Sequence, residues 1–468
     1  MPEIRANLAW DALLDVAGQP AGPLHARLTG ALRAAIRAGR IGPGSALPPS
    51  RLLAAELGCS RWAVTEAYQQ LTAEGYVEPR VGSGTRVVWR QGSDSPERPA
   101  RSPQHPRPPH IDLAPGLPDL RLFPLDRWLG ALRTAAAGLP FRQLGYPTPG
   151  GEPRLREVLA EYLDRVRGAS TGASNLSICG SVTDGVTRLC LAARAAGVHA
   201  VAVEDPGWTR LRDHVGATGL EVVPIPVDDQ GFRADLLERH PEVGLVIVSP
   251  AHQFPTGVVL SPGRRTLLLE WARRVDGLII EDDYDAEFRY DRRPVGTLQG
   301  TDPEHVALAG SLSKTLSPAL GIGWLATPER WTAPLRAGRA PGPGVLDQVA
   351  LAGFLSSGAY DRHLRAARTR YRQRRDALVS ALGERLPRAR VGGAAAGLHL
   401  VLEFPDRPAL DTAAVVRRAA DLGLDLATAR QYRVANTALD SALVLGYGNL
   451  RDPEIPTAVA RLARALPS

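Results

Sequence analysis

The sequence predicts an α/β protein in two parts. A winged helix-turn-helix comes first, then a larger domain on a mainly parallel sheet that ends in a small α+β unit. Three observations lead there. Apolar residues recur at helical spacing through residues 24–74 and give way to a glycine-punctuated hairpin. A Pro/Arg-rich stretch without periodicity follows. Beyond it, short apolar runs alternate with amphipathic segments, as in a sheet covered by helices.

A chain of 468 residues has room for two to four domains. Its 44% hydrophobic and 22% charged content is that of an ordinary globular protein. Cys59, Cys179 and Cys190 have no spacing suited to a disulfide framework or a metal site, so no metal is expected. Met1 to Trp10 carries acidic and polar residues where a signal peptide needs an apolar core. Apolar runs such as 244–248 are too short to span a bilayer. The expected compartment is the cytoplasm, with no membrane partner. Net charge is +7. Residues 1–110 hold 13 arginines against 9 acids, while residues 111–468 hold 43 basic against 40 acidic residues. Positive charge is therefore densest in the N-terminal quarter, where it would suit an acidic partner such as DNA.

Residues 1–89 form the first part. Leu24, Leu28, Leu32 and Ile36 make one apolar stripe on a helix closed by Gly39 and Gly42. Leu47-Pro48-Pro49-Ser50 leads into a short helix over 51–57. Gly58-Cys59 turns the chain, and Ser60 caps a second helix to about Glu74, with Val64, Ala67, Tyr68 and Leu71 inward. Residues 76–80 and 85–88 read as strands joined through Gly82 and Gly84.

Leu47-Pro48-Pro49-Ser50-Arg51, Leu57-Gly58-Cys59-Ser60-Arg61, Val64, Ala67-Tyr68, Leu71, Glu74-Gly75 and Gly82-Ser83-Gly84-Thr85 together resemble the GntR family of DNA-binding domains. The resemblance implies that the second helix of the motif enters the major groove of double-stranded DNA, with the wing on the minor groove or backbone. The contacts it implies are Arg51, Ser60, Arg61, Trp62, Ala63 and Thr65, with Arg80 and Gly82 in the wing. A helix start meets phosphate well, and arginine is the commonest reader of guanine. Trp62 stands where a small or polar residue is expected; the alternative for it is packing against the wing.

Residues 90–110, rich in Pro, Arg, Ser and Gln, read as a flexible tether. In residues 111–468, strand-like runs occur at 200–203, 221–227, 244–248, 278–282, 306–309 and 322–326. A long arginine-rich helix over 362–382 precedes the α+β unit.

Lys314 is the only lysine; the other 55 basic residues are arginine. On a solvated face either cation serves, so a leftover surface lysine is the bland reading. An arginine cannot take the place of a primary amine that attacks an aldehyde, because its guanidinium stays charged and delocalised. Lys314 lies in Ser311-Leu312-Ser313-Lys314-Thr315, among hydroxyls. Thirty-two residues earlier, Glu281-Asp282-Asp283-Tyr284 ends an apolar strand, at the edge where open α/β sheets bind ligands.

With Glu204-Asp205-Pro206-Gly207-Trp208 and the stretch from Ser249 to Gly257, these motifs resemble the fold-type I aminotransferases that use pyridoxal 5'-phosphate (PLP). Together with the winged helix they resemble the MocR subgroup of GntR regulators. The resemblance implies that Lys314 forms a Schiff base with PLP. Asp282 would pair with the pyridinium nitrogen, Tyr284 with the phenolic oxygen, and Trp208 would stack on the ring. Ser311 would bond the phosphate, with the helix start at Gly180 and Ser181 as its cradle, and Ser313 is implied among the cofactor contacts. His252 and Gln253 would replace an asparagine near the phenolic oxygen. Tyr146 would reach the phosphate of a neighbouring subunit, which implies a homodimer, with domain swapping one way to arrange it. Arg210 is the implied contact for an effector's anion.

Three positions depart from the family pattern. Gly321 stands where an arginine usually clamps the phosphate. Asp184 would put a negative charge near that phosphate. Val444 stands where an arginine usually holds a substrate carboxylate. The expected function is a DNA-binding transcriptional regulator, not an enzyme, that senses PLP, a reactive amine or an amino acid. The alternatives are a working aminotransferase with an accessory DNA-binding domain, and a DNA-binding protein whose large domain only dimerises.

Overall fold

The computed structural model describes residues 10, 14–80, 84–89, 111–290, 295–337, 342–434 and 441–467. Gly82 and the 90–110 tether lie outside the described residues. The chain separates into two compact units, 1–106 and 107–468.

In the first unit, helix α1 (Leu24–Arg37) buries Leu28, Leu32 and Ile36, the fourfold stripe of the sequence. Helix α2 (Ser50–Glu56) turns through Gly58 into helix α3 (Arg61–Ala73). Ser60 caps α3, its Oγ accepting from the Ala63 amide at 3.3 Å. Strands β1 (Val77–Arg80) and β2 (Gly84–Val87) pair antiparallel as the wing. Val64, Ala67 and Leu71 of α3 are buried with Leu28, Leu32 and Val77 in one core. The Tyr68 hydroxyl donates to the Pro48 carbonyl at 2.9 Å, and Arg33 pairs with Glu74 at 2.6 Å. These contacts fix α2 and α1 against α3.

The second unit opens with β3 (Ile111–Asp112). Its main sheet holds β4 (Leu176–Cys179), β5 (Ala200–Asp205), β6 (Glu221–Asp228), β7 (Gly231–Phe232), β8 (Val243–Val248), β9 (Leu278–Asp282), β10 (Val306–Ser311) and β11 (Gly323–Ala326). The order across the sheet is β4-β11-β10-β9-β8-β5-β6-β7. Neighbours from β10 to β6 are parallel, while β11 runs antiparallel to both β10 and β4, and β7 folds back on β6. The run at 322–326 is therefore a strand, but a reversed one. β4 and β7 were not among the expected runs.

The C-terminal unit carries β12 (Arg390–Gly392), β13 (His399–Glu403), β15 (Ala427–Thr428) and β16 (Ala442–Gly446), with β14 (Leu424–Asp425) pairing parallel to β3. The site is framed by helix α4 (Val182–Ala195) after β4, helix α5 (Thr209–Gly216) after β5, and the 27-residue helix α6 (Ala359–Arg385). No helix among the described residues is long and apolar enough to cross a membrane.

Strand alternation explains the acidic cluster at the end of β9. Glu281 accepts from the Gln299 amide at 3.0 Å. Asp283 takes a bidentate pair from the buried Arg167, Nε at 2.6 Å and Nη2 at 2.8 Å. Asp282, between them, points to the other face. Arg167 thus offsets one of the buried charges that this strand end collects. Arg167→Ala should cost about 3–5 kcal/mol, because Asp283 is left buried without its cation. A urea midpoint within experimental scatter of the parent would show that solvent or another cation reaches Asp283.

Candidate functional site

Five parallel strands bring their carboxyl ends to one cavity, the position where sheets of this kind bind ligands. β4 delivers Ser181 and the start of α4. β5 delivers Glu204 and Trp208, β8 delivers Ser249, β9 delivers Asp282 and Tyr284, and β10 delivers Ser311, Ser313 and Lys314.

Lys314 is held from two sides. Tyr360 of α6 donates to Thr315 Oγ1 at 2.9 Å, and His363 Nε2 lies 2.8 Å from the Thr315 carbonyl. The long helix therefore grips the residue next to the amine. The amine itself donates to the Gly116 carbonyl, in the segment just after β3. Burial pushes the Lys314 amine below its usual range, while Asp285 and Asp282 pull the other way. A desolvated amine of this kind is prepared to lose a proton and act as a nucleophile.

Asp282 faces Lys314 across the cavity. Burial raises its carboxyl to about 7, helped by Asp283 and Asp285. Its Oδ1 is buried without a hydrogen-bond partner among the described residues. Such an atom costs free energy unless a donor meets it. Tyr284 Oη lies 3.1 Å from His252 Nδ1, which lies 2.9 Å from Asp285 Oδ2. A carboxylate at that distance makes Nδ1 the protonated nitrogen. His252, Asp285 and His399 have ligand atoms within 4.8 Å of one another. They are engaged in hydrogen bonds already, since His399 Nε2 sits 3.1 Å from the Pro255 carbonyl. Burial and His252 hold His399 well below its usual range, hence neutral.

The expected residues divide. Lys314, Asp282, Tyr284, Trp208, Ser311, Ser313 and Ser181 line the cavity. Trp208 is 37% exposed, so its ring is not part of the core. His252 stands behind Tyr284, where it orients Tyr284 and Asp285. Gln253 is buried and spends its amide on loop carbonyls, donating to Pro206 at 2.7 Å and Phe254 at 2.6 Å. Gly180 is off the cavity, its amide donating to Asp184 Oδ2 at 2.8 Å. Arg210 is exposed on α5 and also off the cavity. Tyr146 is fully exposed and lines a separate cavity.

Asp285, Glu204, Arg212, Phe254, His399 and Tyr432 line the cavity without having been expected. Asp285 could have been found by continuing past Tyr284 in the acidic run. Arg212 follows Trp208 by one helical turn, the spacing that puts two side chains on one face. Nothing local marks His399 or Tyr432, which arrive from the C-terminal unit.

The three departures also take a structural form. Asp184 is paired by Arg188 through two bonds, at 2.8 and 2.7 Å, which offsets its charge at the start of α4. Gly321 ends a short turn at φ 57°, a left-handed conformation suited to glycine, and stands off the cavity. Val444 is fully buried in β16 beside Ala427 and Tyr432.

In the first unit, Arg51, Ser60, Arg61, Trp62, Thr65 and Arg80 are exposed. Ala63 is a correction: it is 2% exposed and faces the core, as its place one turn before Ala67 requires. Trp62 is 64% exposed and meets His25 of α1 edge-on at 5.3 Å, so it does not pack on the wing.

Several acids at the site are raised by burial: Glu204 to about 8, and Glu281 and Asp282 to about 7. In the unfolded chain these carboxyls titrate near 4. Between about pH 4 and about pH 8 these carboxyls hold more protons in the folded chain than in the unfolded one, so their contribution to stability falls as pH rises through that window. The thermal midpoint of the ligand-free protein should drop from about pH 5.5 to about pH 8.5, and less steeply in Glu204→Gln. Identical slopes in both proteins would place the titration elsewhere.

Comparison with known proteins agrees with both units. Residues 24–87 match the bacterial regulatory proteins of the gntR family, and residues 109–439 match aminotransferase class I and II. A pyridoxine biosynthesis transcriptional regulator of Corynebacterium glutamicum is 32% identical, covering 97% of this chain and 98% of its own. A probable rhizopine catabolism regulatory protein of Rhizobium meliloti is also 32% identical, covering 92% of this chain and 91% of its own. Among solved structures, the multiple substrate aminotransferase of Thermococcus profundus superposes with a TM-score of 0.69 at 25% identity, covering 77% of this chain and 92% of that one. A winged DNA-binding head and an aminotransferase fold on one chain, matched end to end by regulators, show that the chain belongs to the MocR subgroup of GntR-type transcriptional regulators.

Proposed function

We propose that this DNA-binding regulator senses PLP, or an amine or amino acid that reacts with it, at Lys314. The carrying observation is the pairing of a desolvated amine at Lys314 with the partnerless buried Oδ1 of Asp282 in one cavity. The residues present fit PLP. A pyridinium N–H would satisfy Asp282, Tyr284 would serve the phenolic oxygen, Trp208 would cover the ring, and Ser181, Ser311 and Ser313 would meet the phosphate. When bound, PLP supplies an aldehyde that condenses with a primary amine and a ring that withdraws electrons.

The remaining steps belong to this chain. Asp282 holds a proton or a positive nitrogen, because burial makes its free charge unfavourable. Tyr284, steadied by His252 and Asp285, holds a proton at the ring's oxygen. Loss of protons from Lys314 Nζ weakens what it donates to Gly116, in the segment that follows the tether. Capture at Lys314 thereby alters the entry of the second unit, and the effector acts through its different affinity for the two arrangements. Tyr146, exposed and away from its own cavity, suits a residue offered to a second copy in a homodimer.

A second reading, residual transamination, is favoured by the survival of Lys314, Asp282 and Tyr284 together. It is opposed by Val444, which leaves a substrate carboxylate without its usual arginine. Repeated turnover of an amino donor with a keto acid would establish it.

PLP added to the protein should give a visible absorbance band that Lys314→Ala lacks, and the mobility of promoter DNA should respond to PLP in the parent alone. No band in either protein would remove the covalent sensor. On the DNA side, Arg61→Ala should weaken operator binding and lower the salt slope by about 0.9 for each phosphate that Arg61 neutralises. An unchanged slope would take Arg61 off the phosphates.

A further inference from the structure

We infer that Arg212 is the cation that holds the phosphate of the ligand, in place of the arginine that position 321 lacks. The inference rests on the PLP reading above. Arg212 lines the cavity, and its Nη1 is buried without a hydrogen-bond partner among the described residues. A guanidinium N–H withdrawn from water calls for an acceptor, and a charged acceptor serves it best. Among the described residues, the acids of the same cavity do not pair with it. Glu204 accepts from the Ser249 amide at 3.3 Å and from Gln253 Nε2 at 3.3 Å, and Asp285 is engaged by His252.

The cavity therefore holds two buried polar atoms of opposite kind without partners, Asp282 Oδ1 and Arg212 Nη1. A ligand that satisfies both carries a cationic N–H and an anion on one small frame. PLP has these two features. The anion end is marked by the start of α4. Ser181, Val182 and Thr183 line the cavity there, and Val182 and Leu211, the neighbour of Arg212, belong to one apolar cluster. The first turn of a helix offers free amides to an anion. Gly180 does not contribute, because Asp184 occupies its amide, so a side-chain cation is the stronger source of charge.

The test compares PLP with pyridoxal, which has the aldehyde but no phosphate. Both are titrated by the visible band and by quenching of tryptophan fluorescence in the parent, Arg212→Ala and Arg212→Lys. The expected result is a PLP dissociation constant raised about tenfold or more in Arg212→Ala and less in Arg212→Lys, with pyridoxal unchanged. Equal weakening of PLP and pyridoxal would make Arg212 a structural residue and overturn the inference. So would an unchanged PLP constant, including the case in which Arg212→Ala alters only the response to an amino acid, which would assign Arg212 to that carboxylate. Absence of the band in the parent is a separate result: it removes the PLP reading itself.

Discussion

The site depends on how the end of one strand disposes of its carboxylates. β9 finishes in four acids within five residues, all withdrawn from water. Alternation sends Glu281 and Asp283 toward Gln299 and Arg167, and Asp282 toward Lys314. One acid is thereby neutralised by a cation of the scaffold, while the next is left without a donor for Oδ1. An unpaired buried carboxyl is costly, so the fold holds it only where surrounding packing fixes the strand. Without the Arg167 pair, the charge of Asp283 would weigh more heavily on Asp282, whose carboxyl it already raises. The polarity of the cavity follows from that division.

The same economy appears at the start of α4. An acid at position 184 looks hostile to a phosphate when read alone. In the fold it binds the Gly180 amide and takes two bonds from Arg188. The helix start is thus capped from within, and part of the usual anion cradle is used up by the protein. Val444 has gone further and become core. The residues that would meet a PLP ring line the cavity while arginine is absent from positions 321 and 444, a pattern that suits the proposed sensor. Catalysis requires interactions that strengthen in the transition state, and a sensor has no need of them.

Much of this was legible in the sequence. The fourfold stripe of α1, the Ser60 cap and the apolar runs of β5, β6, β8, β9 and β10 depend on local periodicity, which sequence carries directly. Lys314, Asp282, Tyr284 and Trp208 follow strand ends, and parallel sheets gather strand ends in one place. The reversed direction of β11 was not legible, because a buried strand has the same apolar run in either direction. Ala63 was misplaced because one residue in a helix start separates the groove face from the core face. His252 and Gln253 sit beside the site in sequence but support it from behind. His399 and Tyr432 arrive from the C-terminal unit, and no local pattern announces a contact more than eighty residues distant.

The proposed coupling from cavity to DNA would run through the segment that enters the second unit. β3 pairs with β14, Leu113 accepts from the Gly446 amide at 2.7 Å, and Gly116 accepts from Lys314. Farther along, Asp119 is held by the buried Arg374 at 2.8 Å, and its amide donates to Tyr371 of α6 at 2.8 Å. The same helix grips Thr315 through Tyr360 and His363. The entering segment thus meets the long helix directly at Asp119, and Lys314, beside the gripped Thr315, adds a second tie to that segment. A ligand that changes what Nζ donates alters one bond of the entering segment and leaves the Asp119 anchor in place. In the proposed sensor, the ligand's preference between two arrangements of this segment would set the size of the response. A scaffold that only dimerised would need no titratable group at that junction.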